Sequence, residues 1–260
     1  MPGLTPRSVA ELFDIVGQMS NYDIKLKCYM VELYLNELRD LLLPPGTKEI
    51  PKLDIKENAT GMVVIQGVEE VVLHDVQQAE KIFEEGLSHR KTRKTKMNEA
   101  SSRSHLIFSI VIEALNISTK VKTIGKLSFV DLAGSERSSK TGTDKQGQEE
   151  ANAINMSLSA LGNVISELSS GAKFVSYRSH VLTKMMKDSL GGTAKTLMFV
   201  NASPSIYNEM ETKNALDYAT RVKKIKNNVS KNVETKEVKL LKDAMGILEN
   251  RYDTMKDILV

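Results

Sequence analysis

Apolar residues recur along this chain at two different periods, and the alternation between those periods predicts its architecture. Near the start, Val9, Leu12, Phe13 and Val16 fall at steps of three and four, the spacing of one helical face, and Pro6 suits the first turn. The next run, IKLKCYMVELYLNELRDLLL, alternates in its first half and is β-rich, so it predicts a long strand and a following turn closed by Pro44-Pro45-Gly46. LDIKEN, MVVIQGV and EVVL are short strand candidates. In DVQQAEKIFEEGLSHR the helical period returns, with Val76, Ala79, Ile82, Phe83 and Leu87 on one face behind Asp75 as N-cap.

HLIFSIVIEAL and KLSFVDLAG are two apolar, β-branched runs joined by a polar connection, which predicts adjacent strands of a largely buried sheet. EEANAINMSLSALGNVISELSS carries a stripe of Ile154, Leu158, Leu161, Ile165 and Leu168 and predicts a long helix. TLMFVNASP predicts another buried strand, ended by Pro204, and METKNALDYATRVKKIKN another helix. Strands alternating with helices in this way predict an α/β sandwich built on a central sheet. At the end, Val238, Leu241, Met245, Leu248, Tyr252, Met255 and Leu259 recur at steps of three and four, a heptad seam suited to a short coiled coil or to a helix docked on the domain.

Composition narrows the class. A chain of 260 residues with 41% hydrophobic content can bury one substantial core. No apolar run approaches the roughly 20 residues needed to cross a bilayer, so no membrane segment is expected. The opening MPGLTPRSVAEL has neither a basic region before an apolar stretch nor an Arg-rich amphipathic pattern, which leads us to expect a cytoplasmic protein. The single cysteine, Cys28, cannot form an internal disulfide and reads as a small buried hydrophobe. A formal charge of +3 is too mild to imply nucleic acid. Two local basic clusters, HRKTRKTK at 89–96 and RVKKIK at 221–226, read either as solvated helix ends or as partner contacts.

Two strings carry candidate chemistry: NEASSRSH at 98–105 and VDLAGSE at 130–136. In open α/β sheets ligands sit beyond the carboxyl ends of strands, and Asp131 lies where KLSFVDLAG leaves its strand. A carboxylate there can hold Mg²⁺ through water, while Gly134 lets a backbone amide approach a phosphate without a Cβ in the way. Ser101 and Ser102 offer hydroxyls to the metal or to a phosphate oxygen. Arg103 and Glu136 are opposite charges in the two loops, and a bidentate pair between them would latch the loops shut. The Gly-rich loop ending in Gly-Lys-Ser/Thr that normally grips nucleotide phosphates does not occur: the one glycine pair at the right separation, Gly142 and Gly147, is followed by Gln148-Glu149. That absence, with no NKxD-type string, argues against a GTPase.

With those residues placed, nearly the whole chain resembles a kinesin motor domain. NEASSRSH resembles switch I and VDLAGSE switch II; INMSLSALGNVISEL resembles the long helix after switch II, SYRSHVLTKMMKDSLGGTAKTLMFVNASP the tubulin-contact loop, helix and strand, and ETKNALDYATRVKKI the last motor helix. NNVSKNVETKEVKLLK resembles the segment after the motor in plant-type calmodulin-binding kinesins, a minus-end-directed class with C-terminal motors. The resemblance implies a three-layer sandwich with a central mixed β-sheet flanked by helices, spanning 1–232, then a neck-like helix over 233–260. It implies ATP/ADP and Mg²⁺ as cofactors of an intact motor, with Asn98, Ser101, Ser102, Asp131 and Gly134 binding, Ser102 and Asp131 near the metal, and Arg103 with Glu136 as the latch. It implies microtubules as partner and a cytoskeletal location, with Arg178, Lys184 and Lys187 facing tubulin.

Several positions depart from the pattern. In the family roughly a hundred residues carrying the phosphate loop and the first strands precede the point matching Pro2. Their absence predicts no nucleotide turnover by this chain alone, and it leaves the remaining strands to close a gap, present an open edge or accept a strand from another chain. Val181 and Met156 stand where the family usually has lysine, which weakens attraction to an acidic surface. Over 234–260 five bases face six acids, against the basic helix that calmodulin usually takes, so calmodulin binding and homodimerisation through regions outside this chain stay open. The alternative reading is a non-catalytic, kinesin-derived binding or structural protein.

Overall fold

The computed structural model describes residues 2–44, 46–58, 60–92, 103–135, 145–227, 233–234 and 248. In chain order the helices are α1 (Leu4–Gln18), α2 (Val76–Thr92), α3 (Lys145–Ser169), α4 (Val181–Met185), α5 (Lys187–Leu190) and α6 (Glu209–Val222). The strands are β1 (Tyr22–Tyr34), β2 (Glu37–Asp40), β3 (Asp54–Glu57), β4 (Val63–Gln66), β5 (Val71–Leu73), β6 (His105–Asn116), β7 (Lys122–Asp131) and β8 (Val233–Glu234). Asp75 caps α2 as expected, its carboxylate accepting the Gln78 amide at 2.7 Å.

One sheet organises the molecule, in the order β2-β1-β6-β7-β8 with β5 also on β1. β1 and β6 pair antiparallel from Tyr22 opposite Asn116 to Leu33 opposite His105, and β7 continues the sheet with Leu106 opposite Asp131. All pairings among the described strands are antiparallel. The long run read as one strand and a turn is a hairpin, because Leu35 and Asn36 both take positive φ (48° and 68°) and reverse the chain into β2. β3 and β4 form a separate hairpin.

The period-2 alternation of β1 decides which side each layer occupies. Leu26, Cys28 and Met30 pack with Val9 of α1 and with Ala79 and Ile82 of α2. Tyr29 and Val31 face the other way, onto Ile65 of β4 and Met185 of α4. On that same side Leu33 joins Leu161, Val164 and Ile165 of α3 with Leu182 of α4. Helices therefore cover both faces, the layered α/β arrangement expected. Cys28 is fully buried and its thiol is pushed up to about 12 by desolvation, as befits a core hydrophobe.

One element departs from expectation. Residues 196–204 form no strand, and Leu197 and Phe199 are 77% and 61% exposed. A strand needs a neighbour for its backbone donors and acceptors, and no described strand pairs with this segment, so apolar composition alone does not make it one. The heptad seam lies outside the described residues except for Leu248, which is helical and exposed.

Candidate functional site

The two candidate loops spring from one rim of the sheet, because the antiparallel register sets the start of β6 beside the end of β7. Leu106 stands opposite Asp131, and the residues that flank this pair are wired together. Arg90, near the end of α2, is only 6% exposed. Its Nη1 donates to Asp131 Oδ2 at 3.0 Å, its Nη2 donates to the Ser104 carbonyl at 3.0 Å and hydroxyl at 3.2 Å, and its Nε lies 3.6 Å from Glu32 Oε1. Ser104 Oγ donates in turn to Glu32 Oε1 at 2.7 Å. A carboxylate as buried as Glu32, 4% exposed, requires such partners, since burying an unpaired charge costs several kcal/mol.

His105, the next residue, is 3% exposed and spans two elements. Its Nδ1 accepts the Ala133 amide at 3.0 Å, and its Nε2 lies 2.7 Å from Ser157 Oγ on α3. Desolvation, reinforced by the nearby positive fields of His180 and Arg90 against a counter-effect of Asp131, holds the imidazole down at about 4. The ring is therefore neutral at physiological pH.

Arg103 is placed on the opposite side of the rim. Its Nη1 donates to Glu150 Oε2 near the start of α3, while Glu150 Oε1 accepts the Tyr34 hydroxyl at 2.6 Å. The expected latch partner, Glu136, lies outside the described residues, as do Asn98, Ser101 and Ser102. The partner found, Glu150, was not singled out from sequence; its one signal is an acid on the inner face at the start of an amphipathic helix. Arg90 corrects the reading of the 89–96 cluster as a solvated end or partner contact, for that side chain is buried in the ion network. Arg221, in the other cluster, is exposed at the end of α6.

Of the cations assigned to tubulin, Arg178 and Lys184 are exposed. Lys187 is engaged within the molecule: its Nζ donates to Glu57 at 2.6 and 2.7 Å and stands 5.8 Å from the Tyr177 ring centre. Beside it Asp188 accepts the Val63 amide at 2.8 Å and pairs with half-buried Lys126, so the β3–β4 hairpin is fastened to α5 by two adjacent residues. Val181 is partly buried against the core, whereas Met156 is 60% exposed on α3.

The Asp131 side chain is 66% exposed, with one oxygen on Arg90. Mg²⁺ in phosphate sites takes one or two protein carboxylates and keeps waters and phosphate oxygens for the rest, so Asp131 fits the protein side of such a site. Among the described residues no group of three His, Cys, Asp or Glu side chains could hold a metal by itself, and no helix is long and apolar enough to cross a membrane.

A profile of the kinesin motor domain matches residues 1–225. The chain belongs to the kinesin motor-domain family. It is 50% identical over 242 residues to kinesin-like protein KIN-14E of Arabidopsis thaliana and 49% identical over 242 residues to kinesin-like protein KIN-14I of Oryza sativa, covering 93% of this chain but 19% of each relative. Among solved structures, a fast kinesin superposes with TM-score 0.78 at 38% identity, covering 90% of this kinesin chain and 66% of that one. The KIF14 dimer with AMP-PNP in complex with a microtubule gives TM-score 0.79 at 33% identity, with 88% and 66% covered. This kinesin chain thus spans about a fifth of the length of these two plant relatives.

Proposed function

We propose that residues 1–232 are the switch-bearing, microtubule-binding part of a kinesin motor domain and 233–260 its neck-like tail, in which the expected helix can start only after the strand residues Val233 and Glu234. The observation that carries this reading is the convergence of the two candidate loops on one rim, where His105 takes the Ala133 amide and Arg90 takes both Ser104 and Asp131. Supporting it are the family match and a neighbour solved on a microtubule. In an intact motor, ATP hydrolysis would be coupled to movement along microtubules. There Asp131 and Ser102 would hold Mg²⁺, which supplies charge neutralisation for phosphoryl transfer, while Ser101, Asn98 and the Gly134 amide face the phosphates. Arg103 and Glu136 would close the loops, and α3 would carry the closure to a tubulin-facing surface bearing Arg178, Lys184 and, once freed from Glu57, Lys187.

Cosedimentation with microtubules tests the partner. Binding that weakens with added salt is expected, since exposed cations would meet an acidic surface, and failure to pellet at low salt would overturn the reading. A second reading, a non-catalytic kinesin-derived binding or structural protein, is separated from the first by nucleotide turnover. Phosphate release measured with this chain alone should stay at background; turnover stimulated by microtubules would exclude the second reading.

A further inference from the structure

We propose that His105 is a positioning residue that fastens the phosphate-facing end of β7 to helix α3, so that a shift of the Ala133–Gly134 backbone is felt at Ser157. The inference rests on the proposed role of that backbone as the phosphate-reading end of the sheet. Its evidence is the order of the hydrogen bonds. The Ala133 amide can only donate, so His105 Nδ1 must be the acceptor, and the neutral ring carries its one proton on Nε2. Nε2 then donates to Ser157 Oγ, whose own hydrogen goes to the Ile154 carbonyl at 2.7 Å. Each proton in the line from Ala133 through His105 and Ser157 to α3 has a single place.

The surroundings keep the ring from swinging free. His105 is held at the start of β6 by its register opposite Leu33, and the ring stands in a small cavity wall shared with Ala153, Ile154 and His180. Ala133 is itself buried, and it directly precedes Gly134. Movement of its amide by a few tenths of an ångström either lengthens the bond to Nδ1 or drags the ring against Ser157. Arg90 does not duplicate this link, because it reaches the Asp131 side chain from α2 on the other face of the sheet. Ser104 and His105, neighbours in sequence, thus tie the rim to α2 and to α3 respectively.

The test uses the whole 260-residue chain and needs neither nucleotide nor tubulin. In ¹⁵N-labelled protein the His105 ring should give the shifts of the Nε2–H tautomer; an Nδ1–H tautomer would overturn the proposal. Amide exchange at Ala133 is then compared in four forms. Ser157→Ala, which removes no hydrogen bond made by Ala133, should speed that exchange about tenfold, and His105→Asn, whose side-chain oxygen can replace Nδ1 as acceptor, should hold Ala133 near its original rate. In the His105→Asn background Ser157→Ala should then have no further effect. Exchange at Phe108 in the middle of β6 serves as the control for global loosening. A change at Ala133 below twofold in Ser157→Ala, or equal effects of that substitution with and without His105, would refute the link. Failure to bind microtubules would sink the proposed function and leave these exchange rates untouched.

Discussion

Tyr34 and Arg103 meet on the same buried carboxylate. Glu150 receives the tyrosine hydroxyl on one oxygen and the guanidinium on the other, so the turn after β1, the foot of the first candidate loop and the start of α3 are held at one point. Removing the charge by Glu150→Gln leaves Arg103 facing an uncharged amide. We expect loss of about 2–3 kcal/mol of stability, because hydrogen bonds to charged groups contribute more than neutral ones. Tyr34→Phe should cost about 1 kcal/mol. Urea unfolding of the two variants checks the order, and a larger loss for Tyr34→Phe would contradict the assignment.

Arg90 presents a sharper case. Arg90→Ala strands Glu32 in the interior, and breaking a buried pair in this way costs about 3–5 kcal/mol. The double variant Arg90→Met with Glu32→Gln removes both charges and should recover much of that loss. Thermal unfolding of the single and double forms decides the matter: equal losses would mean that Glu32 is not the group left uncompensated.

Acid should loosen the molecule well before its surface carboxylates protonate. The unfolded chain takes a proton on His105 near its ordinary value of 6.5, whereas the folded form resists until about 4. Between those values the unfolded state holds more protons, so the contribution is complete above pH 6.5 and drains away as pH falls toward 4, amounting to about 3 kcal/mol. His180, also lowered by burial, acts in the same direction. Unfolding midpoints in urea should therefore drop from about pH 6.5 downward, with a shallower slope in His105→Asn. A flat profile from pH 6.5 to 5 would be incompatible with this wiring.

At Gly86 α2 packs tightly against Met30 of the sheet. A Cβ placed there would sit 2.2 Å from Met30 Sδ and 3.4 Å from Leu42 Cδ2. Gly86→Ala should consequently destabilise by about 1–3 kcal/mol despite the better helix propensity of alanine, because overpacking outweighs it. Pairing it with Met30→Ala should relieve the clash, so the loss in the double variant should be smaller than the sum of the two single losses, and calorimetric midpoints of all three forms check it.

Most of the layering could be read from periodicity, because each element buries a face whose spacing is local: β1 alternates, and α2 and α3 carry their stripes. The heart of the rim was legible only in part. Asp131 announced itself by ending an apolar strand beside glycine, yet Arg90 sat unnoticed in a basic run, since nothing local distinguishes a buried guanidinium from a solvated one. Glu32, Glu150 and Ser157 are distant in sequence from the residues they hold, and only the register that brings β6 against β1 and α3 beneath the rim reveals them. The segment 196–204 failed for the converse reason: its composition suits a strand, but strand formation depends on a neighbour that composition does not supply.

β7 is engaged by β6 along its length, but on its other side the described residues offer it only β8, at Lys122 and Thr123. From Ile124 to Asp131 no described strand lies against that flank, and an edge left unpaired there would present backbone N–H and C=O groups, the condition under which a sheet accepts a further strand.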